Sequence, residues 1–170
     1  MNLRDWGWVL NWEDKIQVQK GNLGEYAVEK FLEKEGFVIY KPVTDVAHPF
    51  DRLCVKDKNT VFIAEIKTKP KRTYYPDTGF NYRHYEDYQR MQEKGLNVYI
   101  FFVDESQGIV YGNPLNKISE NCTVEHNGKM LEYPKREGGI IYFPVQNMEF
   151  FNYLEENEVN SIKELYTGNY

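Results

Sequence analysis

Two carboxylates and an ammonium group lie on either side of a short polar turn, and their types and spacing suit them to chemistry. Asp51 stands at the start of one strand-like run, and Glu65 and Lys67 stand at the end of the next. Side chains alternate along a strand, so Glu65 and Lys67 project from one face. With Lys58 at the centre of the turn, Asp51 lies directly opposite Glu65 and on that same face.

These charges predict a metal site. Carboxylates directly across a ladder repel each other, and a divalent cation between Asp51 and Glu65 removes that repulsion. Hard oxygen ligands are those that Mg²⁺ prefers. Lys67 can orient or help to deprotonate an attacking water, or stabilise charge that grows on a phosphate. The pattern therefore predicts metal-assisted hydrolysis of a phosphodiester.

The elements that must position these residues follow from hydrophobic periodicity. Apolar residues at helical spacing predict a helix over residues 22–35, ended by Gly36. Glu25 shares one side of this helix with Val28 and Leu32, so it is expected to face inward, toward a metal or a lysine. The other predicted elements are strands over 37–40, 50–56, 60–67, 97–103, 108–111 and 140–143, a hairpin around 125–129, and helices over 82–94 and from 148 to 156.

This order predicts an α/β fold with a mixed β-sheet flanked by helices and extra β elements toward the C-terminus. Strand 60–67 is apolar on both faces, which predicts a central position in the sheet. No repeat or linker divides the chain, so a single domain is expected. Its core spans about 21–112, after an N-terminal extension over 1–20 and before a C-terminal elaboration over 113–170.

Composition narrows the class of protein. The two cysteines are far apart and in no paired motif, which argues against a disulfide framework and favours a reducing cytoplasm. No apolar run reaches membrane-spanning length, so no membrane partner is expected. The net charge of −5 counts against a nucleic-acid binder. The net charge can nevertheless hide a basic cluster over residues 67–72, because an acidic stretch over 149–164 offsets its charge in the total.

Two segments, His48-Pro49-Phe50-Asp51 and Ala64-Glu65-Ile66-Lys67, resemble the PD-(D/E)XK nuclease superfamily. That superfamily includes restriction-endonuclease-like and Holliday-junction-resolvase-like enzymes. Its pattern is an acidic residue at a strand start, followed by Glu-x-Lys on the next strand; here one residue separates the proline from the aspartate. The segment Gly21-Asn22-Leu23-Gly24-Glu25 resembles the glutamate-bearing helix of many members, and the resemblance spans roughly Gly21 to Tyr111.

The resemblance implies a restriction-endonuclease-like fold and a magnesium-dependent endo- or exonuclease, with Mn²⁺ as an alternative ion and DNA rather than RNA as substrate. It implies that Asp51, Glu65 and the backbone carbonyl of Ile66 hold the metal. Lys67 would stabilise charge or position water. Glu25 would be an accessory ligand or would orient Lys67.

A basic and aromatic stretch after the second strand is a candidate nucleic-acid contact. Lys69, Lys71 and Arg72 can grip phosphates, and Tyr74 can stack on a base. Gln89 on the second predicted helix is a weaker candidate beside the site. The alternative is that these are ordinary solvated surface residues.

Other interpretations stay open. Taken singly, the residues also fit surface roles, with Glu25 paired to Lys30, and Asp51 paired to Arg52 or Arg72. The chain could be a catalytically inactive binding module on the same fold, since fold does not fix function. It could also be a homodimer or a subunit that works only within a larger nucleic-acid-processing assembly. No P-loop, nucleophile elbow or histidine metal spacing supports another chemistry.

Overall fold

A computed structural model of the chain describes residues 15–43 and 50–167. Trp6, Trp8 and Trp12 of the N-terminal extension, whose indoles the sequence predicts to pack onto the core, lie outside these ranges, as do His48 and Pro49. In chain order the elements are α1 (Ile16–Lys34), β1 (Val38–Tyr40), β2 (Arg52–Asp57), β3 (Thr60–Thr68), β4 (Asp77–Asn81), α2 (Tyr82–Glu93), β5 (Val98–Asp104), β6 (Ile109–Pro114), α3 (Leu115–Ile118), β7 (Cys122–His126), β8 (Lys129–Tyr133), β9 (Lys135–Glu137), β10 (Ile140–Pro144), β11 (Glu149–Tyr153) and α4 (Glu156–Thr167).

Six strands form the main sheet in the order β1-β2-β3-β5-β6-β11. Only β3 and β5 pair in parallel; the other neighbours are antiparallel. Strand β3 lies inside the sheet, as its apolar faces predicted. A three-stranded sheet, β4-β10-β9, and the β7–β8 hairpin accompany the main sheet.

Hydrophobic clusters cover both faces of the main sheet. One contains Val28 of α1, Ala64 of β3 and Ile162 of α4. The other contains Tyr88 of α2 and Phe102 of β5. The predicted mixed sheet with helices on its faces is therefore confirmed, and each face of β3 meets a different helix.

The β2–β3 register agrees with the prediction. Val55 pairs with Val61 and Leu53 with Ile63. The ladder reaches Arg52 opposite Ala64, so Asp51 lies just beyond the end of β2.

Several features of the chain differ from the prediction. Helix α1 begins at Ile16, six residues before the predicted start. The predicted helix start at 148 is wrong: residues 149–153 form strand β11, and α4 begins at Glu156. Strand β11 pairs with β6 at the sheet edge, and a partner strand of this kind overrides a local helical pattern. Strand β4 was not predicted at all.

Gly24 allows α1 to pack closely against the end of β3. A Cβ added at Gly24 would lie 1.8 Å from Oγ1 of Thr68. We expect Gly24→Ala to lower the free energy of unfolding by about 1–3 kcal/mol, the usual cost of overpacking. Removing the hydroxyl as well, in a Gly24→Ala/Thr68→Ala variant, should recover part of that loss.

Gly21 in the same helix provides a matched control, because among the described residues no atom outside the local helix backbone lies within 4 Å of an added Cβ there. Gly21→Ala should stabilise the protein by about 0.5–1 kcal/mol through helix propensity. Urea denaturation of the wild type and these three variants measures the changes. Equal stability of Gly24→Ala and Gly21→Ala would contradict the close contact.

Candidate active site

The open end of the β2–β3 hairpin brings the predicted residues together. Asp51 precedes β2, and its Oδ2 accepts a hydrogen bond of 2.7 Å from the backbone N–H of Ile66. The N–H and C=O of one strand residue point to the same side. The carbonyl of Ile66 therefore also points toward the place where β2 has ended and Asp51 stands.

Glu65 and Lys67 lie on the face that α2 covers. Glu65 is only 5% exposed, and Nζ of Lys67 lies 2.5 Å from its Oε1. Lys67 also donates to the hydroxyl of Tyr88 at 3.3 Å. Its Nζ is 5.8 Å from the ring centroids of both Phe80 and Tyr88. A carboxylate, a hydroxyl and two aromatic rings thus fix the ammonium group.

Burial raises the pKa of the Glu65 carboxyl. The charge of Lys67 and hydrogen bonds with Lys67 and Tyr88 oppose this shift, whereas the charge of Asp51 adds to it. Among the described residues, Oε2 of Glu65 is buried without a hydrogen-bond partner. Leaving a buried charged oxygen unsatisfied is costly. The site therefore has a deficit of positive charge beside Glu65 and Asp51.

Glu25 contacts an arginine on the opposite face of the sheet. Nη2 of Arg52 donates to its Oε2 at 2.8 Å, and Arg52 also bonds to Glu29, one helical turn further along α1. Burial raises the pKa of Glu25, and the nearby charge of Asp51 raises it further, whereas Arg52 lowers it. Glu25 is therefore near Asp51, but its carboxylate is engaged by Arg52.

Arg52 links this ion pair to the backbone beside Asp51. The residue is only 3% exposed, and its Nη1 donates to the carbonyl oxygen of Asp51 at 2.7 Å. The carboxylates of Glu25 and Glu29 thus hold Arg52, and Arg52 holds Asp51, the residue that precedes β2.

Two of the surface pairings considered for single residues, Glu25 with Lys30 and Asp51 with Arg72, are not observed. Lys30 pairs with Glu155 at 2.6 Å rather than with Glu25. Arg72 donates to both carboxylate oxygens of Asp77, at 2.6 and 2.7 Å, and to Glu137 at 2.8 Å. Arg72 is thus held within the protein.

The other candidate nucleic-acid contacts differ in their surroundings. Lys69 is half-buried; burial lowers its pKa, and the positive charges of Lys20, Lys67 and Arg72 lower it further. Lys71 is half-exposed and Tyr74 is 81% exposed. Gln89 is exposed, and its Nε2 donates to the hydroxyl of Tyr85 at 3.0 Å.

No family model matches the chain, and no curated protein sequence matches it. Among solved structures, the chain is similar to Hjc, a Holliday junction resolvase from the archaeon Archaeoglobus fulgidus. The TM-score is 0.50 at 13% identity, over 75% of this chain and 86% of the resolvase. The fold is resolvase-like and restriction-endonuclease-like.

D212, a nuclease from a fusselovirus, also aligns, with a TM-score of 0.38 at 10% identity, over 84% of this chain and 87% of that nuclease. At such identities the resolvase-like similarity concerns the fold, so the roles of individual residues depend on the geometry of this site. Within the described ranges, none of the helices has the length and apolar character needed to cross a membrane.

Three residues around the site, Glu29, Arg52 and Tyr88, were not predicted from the sequence. Glu25 and Glu29 are four apart on α1, and such a pair faces one direction. Arg52 follows Asp51, so strand alternation places it on the α1 face. Together these signals could have predicted the ion pair. Tyr88 follows Tyr85 at helical spacing, a pattern that indicates a shared helix face but not a contact with Lys67.

Proposed function

We propose that this protein is a metal-dependent nuclease that hydrolyses phosphodiester bonds of DNA. The observation that carries the proposal is the buried Glu65 carboxylate, whose Oε2 has no hydrogen-bond partner among the described residues although Asp51 and Lys67 lie beside it. A structural protein gains nothing evident from such an arrangement. In a hydrolytic site, a bound cation would contact this oxygen and offset the negative charge of the two carboxylates.

The donor set suits Mg²⁺, or Mn²⁺ in its place. Asp51, Glu65 and the backbone carbonyl of Ile66 would hold the ion, since all offer the hard oxygen atoms that these ions prefer. When bound, the ion would lower the pKa of a water molecule and polarise a phosphoryl oxygen. The positive charge would also offset the free-energy cost of burying the Glu65 carboxylate and the repulsion between Glu65 and Asp51.

Lys67 is the proposed catalytic cation. The contacts with Glu65 and Tyr88 restrict its ammonium group, so little reorganisation is needed as charge develops. Burial, followed by the charge of Glu65, raises the pKa of the Tyr88 hydroxyl, which therefore stays protonated. Lys67 would stabilise the oxygens of the scissile phosphate or position the attacking water.

Glu25 is proposed as a positioning residue rather than a ligand. Its carboxylate holds Arg52, and Arg52 bonds to the carbonyl oxygen of Asp51. This chain of contacts fixes the backbone that carries Asp51. Beyond β3, Lys69 and Lys71 supply positive charge for the phosphates of the substrate.

A catalytically inactive binding module is the second candidate. It is favoured by the engagement of Glu25 with Arg52. Over residues 15–43 and 50–167, moreover, no group of three His, Cys, Asp or Glu side chains could hold a metal ion. Two carboxylates and a carbonyl are a smaller protein donor set than many metal sites have.

Incubation of the purified protein with plasmid and linear DNA, in Mg²⁺, Mn²⁺ or chelator, tests the proposal. We expect cleavage only with metal, and we expect Asp51→Asn to slow it by at least about 100-fold, as when one key transition-state contact is lost. The new amide oxygen can still accept from Ile66, so the fold should persist. Asp87→Asn, at an exposed ion pair with Arg90 on α2, is the matched control. Nucleic-acid binding without cleavage in any metal would instead support the binding module.

A further inference from the structure

A cleft with a volume of about 190 Å³ lies between the loop that follows β3 and the tip of the β7–β8 hairpin. It is separate from the carboxylate site. The described residues that line it are Tyr74, Tyr75, His126, Asn127, Lys129 and Leu131.

The two walls of the cleft are fastened to each other. Nε2 of His126 lies 3.1 Å from the carbonyl oxygen of Tyr74, to which it can only donate. At the base of the hairpin, the buried hydroxyl of Tyr133 donates to Oδ2 of Asp77 at 2.5 Å. Asn127 and Gly128 have φ values of 51° and 73°, as a tight primed turn requires. These contacts hold the β7–β8 hairpin against the loop, so the cleft between them has a fixed shape.

The tyrosine wall presents aromatic surface to solvent. The backbone of Tyr74 is held by His126, yet its side chain is 81% exposed. The ring of Tyr75 lies 4.0 Å from the guanidinium of Arg72 and is still 38% exposed. An exposed ring on a fixed backbone costs little entropy when a flat partner stacks on it.

Charge is segregated between the two faces of the hairpin. Pairing of His126 with Lys129 and of Val124 with Leu131 places these four side chains on one face. Glu125 and Glu132 fall on the other face by the same alternation. None of the six described residues that line the cleft is acidic. In an acidic chain, this cleft combines aromatic rings, a side-chain amide and a lysine.

We propose that this cleft binds an unpaired nucleotide of the nucleic-acid strand, with its base on Tyr74 and its phosphate near Lys129. Bases stack on aromatic side chains whatever their sequence, and a lysine matches the phosphate. The inference rests on the proposed function, and it specifies the substrate as a duplex with a single-stranded end or bulge.

The position along the chain fits this role. Tyr74 is seven residues after Lys67, which limits their separation to about 25 Å. At the rise per nucleotide of one strand, this is about seven nucleotides. In the sequence, Lys69 and Lys71 lie between them. A strand that leaves the carboxylate site can therefore reach the cleft within about seven nucleotides.

Binding is measured by fluorescence anisotropy, in chelator so that the DNA stays intact, with a blunt duplex and with the same duplex carrying a three-nucleotide overhang. Wild-type protein should prefer the overhang. Tyr74→Ala should weaken overhang binding by about fivefold or more, the low end for stacking of one base, and leave blunt binding unchanged. Tyr74→Phe should retain the preference, because it keeps the ring.

Matched controls separate the cleft from general surface effects. Tyr153→Ala removes a 70%-exposed tyrosine from β11 at the sheet edge and should change nothing. Lys129→Ala should weaken overhang binding, whereas Lys58→Ala, at the turn between β2 and β3, removes the same charge without effect. Equal binding of blunt and overhang duplexes by the wild type would overturn the proposal. So would equal losses on both duplexes in Tyr74→Ala, or competition by a free mononucleotide as strong as that by the overhang.

These outcomes are distinct from those that test the nuclease. Metal-dependent cleavage of blunt DNA without any overhang preference would keep the nuclease and remove the cleft proposal. An overhang preference that depends on Tyr74, in a protein that cleaves nothing, would keep the cleft and remove the nuclease.

Discussion

Replacing Lys67 with alanine is expected to slow DNA cleavage by about 100- to 1,000-fold, the usual loss when one fixed donor to a developing negative charge is removed. The ammonium group of Lys67 is held 2.5 Å from Oε1 of Glu65 and 3.3 Å from the hydroxyl of Tyr88. The ammonium group therefore lies beside the proposed metal ligands but is not itself a ligand. Most of the metal affinity should remain, because both carboxylates remain.

Single-turnover cleavage rates and calorimetric titration with Mg²⁺ measure the two effects separately. Lys67→Met is the companion variant. It keeps an apolar side chain near Phe80 and Tyr88, so it separates the loss of the charge from a loss of packing. Lys58→Ala removes a lysine at the opposite end of the same hairpin and should cleave normally. Cleavage by Lys67→Ala at the wild-type rate would contradict the assignment of Lys67.

The local parts of this site could be predicted from the sequence. A short turn and the alternation of side chains suffice to set Asp51 opposite Glu65, and the observed pairs of Leu53 with Ile63 and of Val55 with Val61 follow that register. The Asn127-Gly128 turn was predicted on the same basis, because residues that favour positive φ specify a primed hairpin.

Elements that depend on distant partners could not be predicted in this way. Strand β11 exists because β6 offers it an edge, and β4 because β10 pairs with it. Neither partner is near in sequence. Local propensity over 148–156 therefore pointed to a helix.

Arg72 shows the same limit for a functional residue. The sequence placed it in a basic, solvated loop that could grip phosphates. In the structure its guanidinium lies 4.0 Å from the ring of Tyr75 and 3.7 Å from that of Tyr142, and it pairs with Asp77 and Glu137. Two of these partners are 65 or more residues away. A charge run in a sequence does not reveal which of its members the fold will engage.

Replacing Glu65 with glutamine is expected to abolish detectable cleavage and, in metal-free buffer, to raise the melting temperature. Burial and the neighbouring charge of Asp51 outweigh the contacts with Lys67 and Tyr88, so the pKa of Glu65 lies above its ordinary value of 4.5. Between 4.5 and the raised pKa, the unfolded chain binds fewer protons than the native protein. Stability therefore falls as pH rises through this interval, and the whole loss is present above it. Glutamine carries no such penalty, and its carbonyl oxygen can still accept from Lys67.

Thermal melting of the wild type and Glu65→Gln, from pH 4.5 to pH 8 in chelator, measures this effect. The advantage of the variant should grow with pH, whereas Glu93→Gln, which neutralises an exposed carboxylate on α2, should follow the wild type. Added Mg²⁺ should then stabilise the wild type more than Glu65→Gln, because a ligand that binds only the folded state raises its stability. A variant that is less stable at every pH would show that Glu65 serves the fold. A variant that is more stable but inactive would show that the carboxylate is kept at a cost to the fold, as a metal ligand in a hydrolytic site requires.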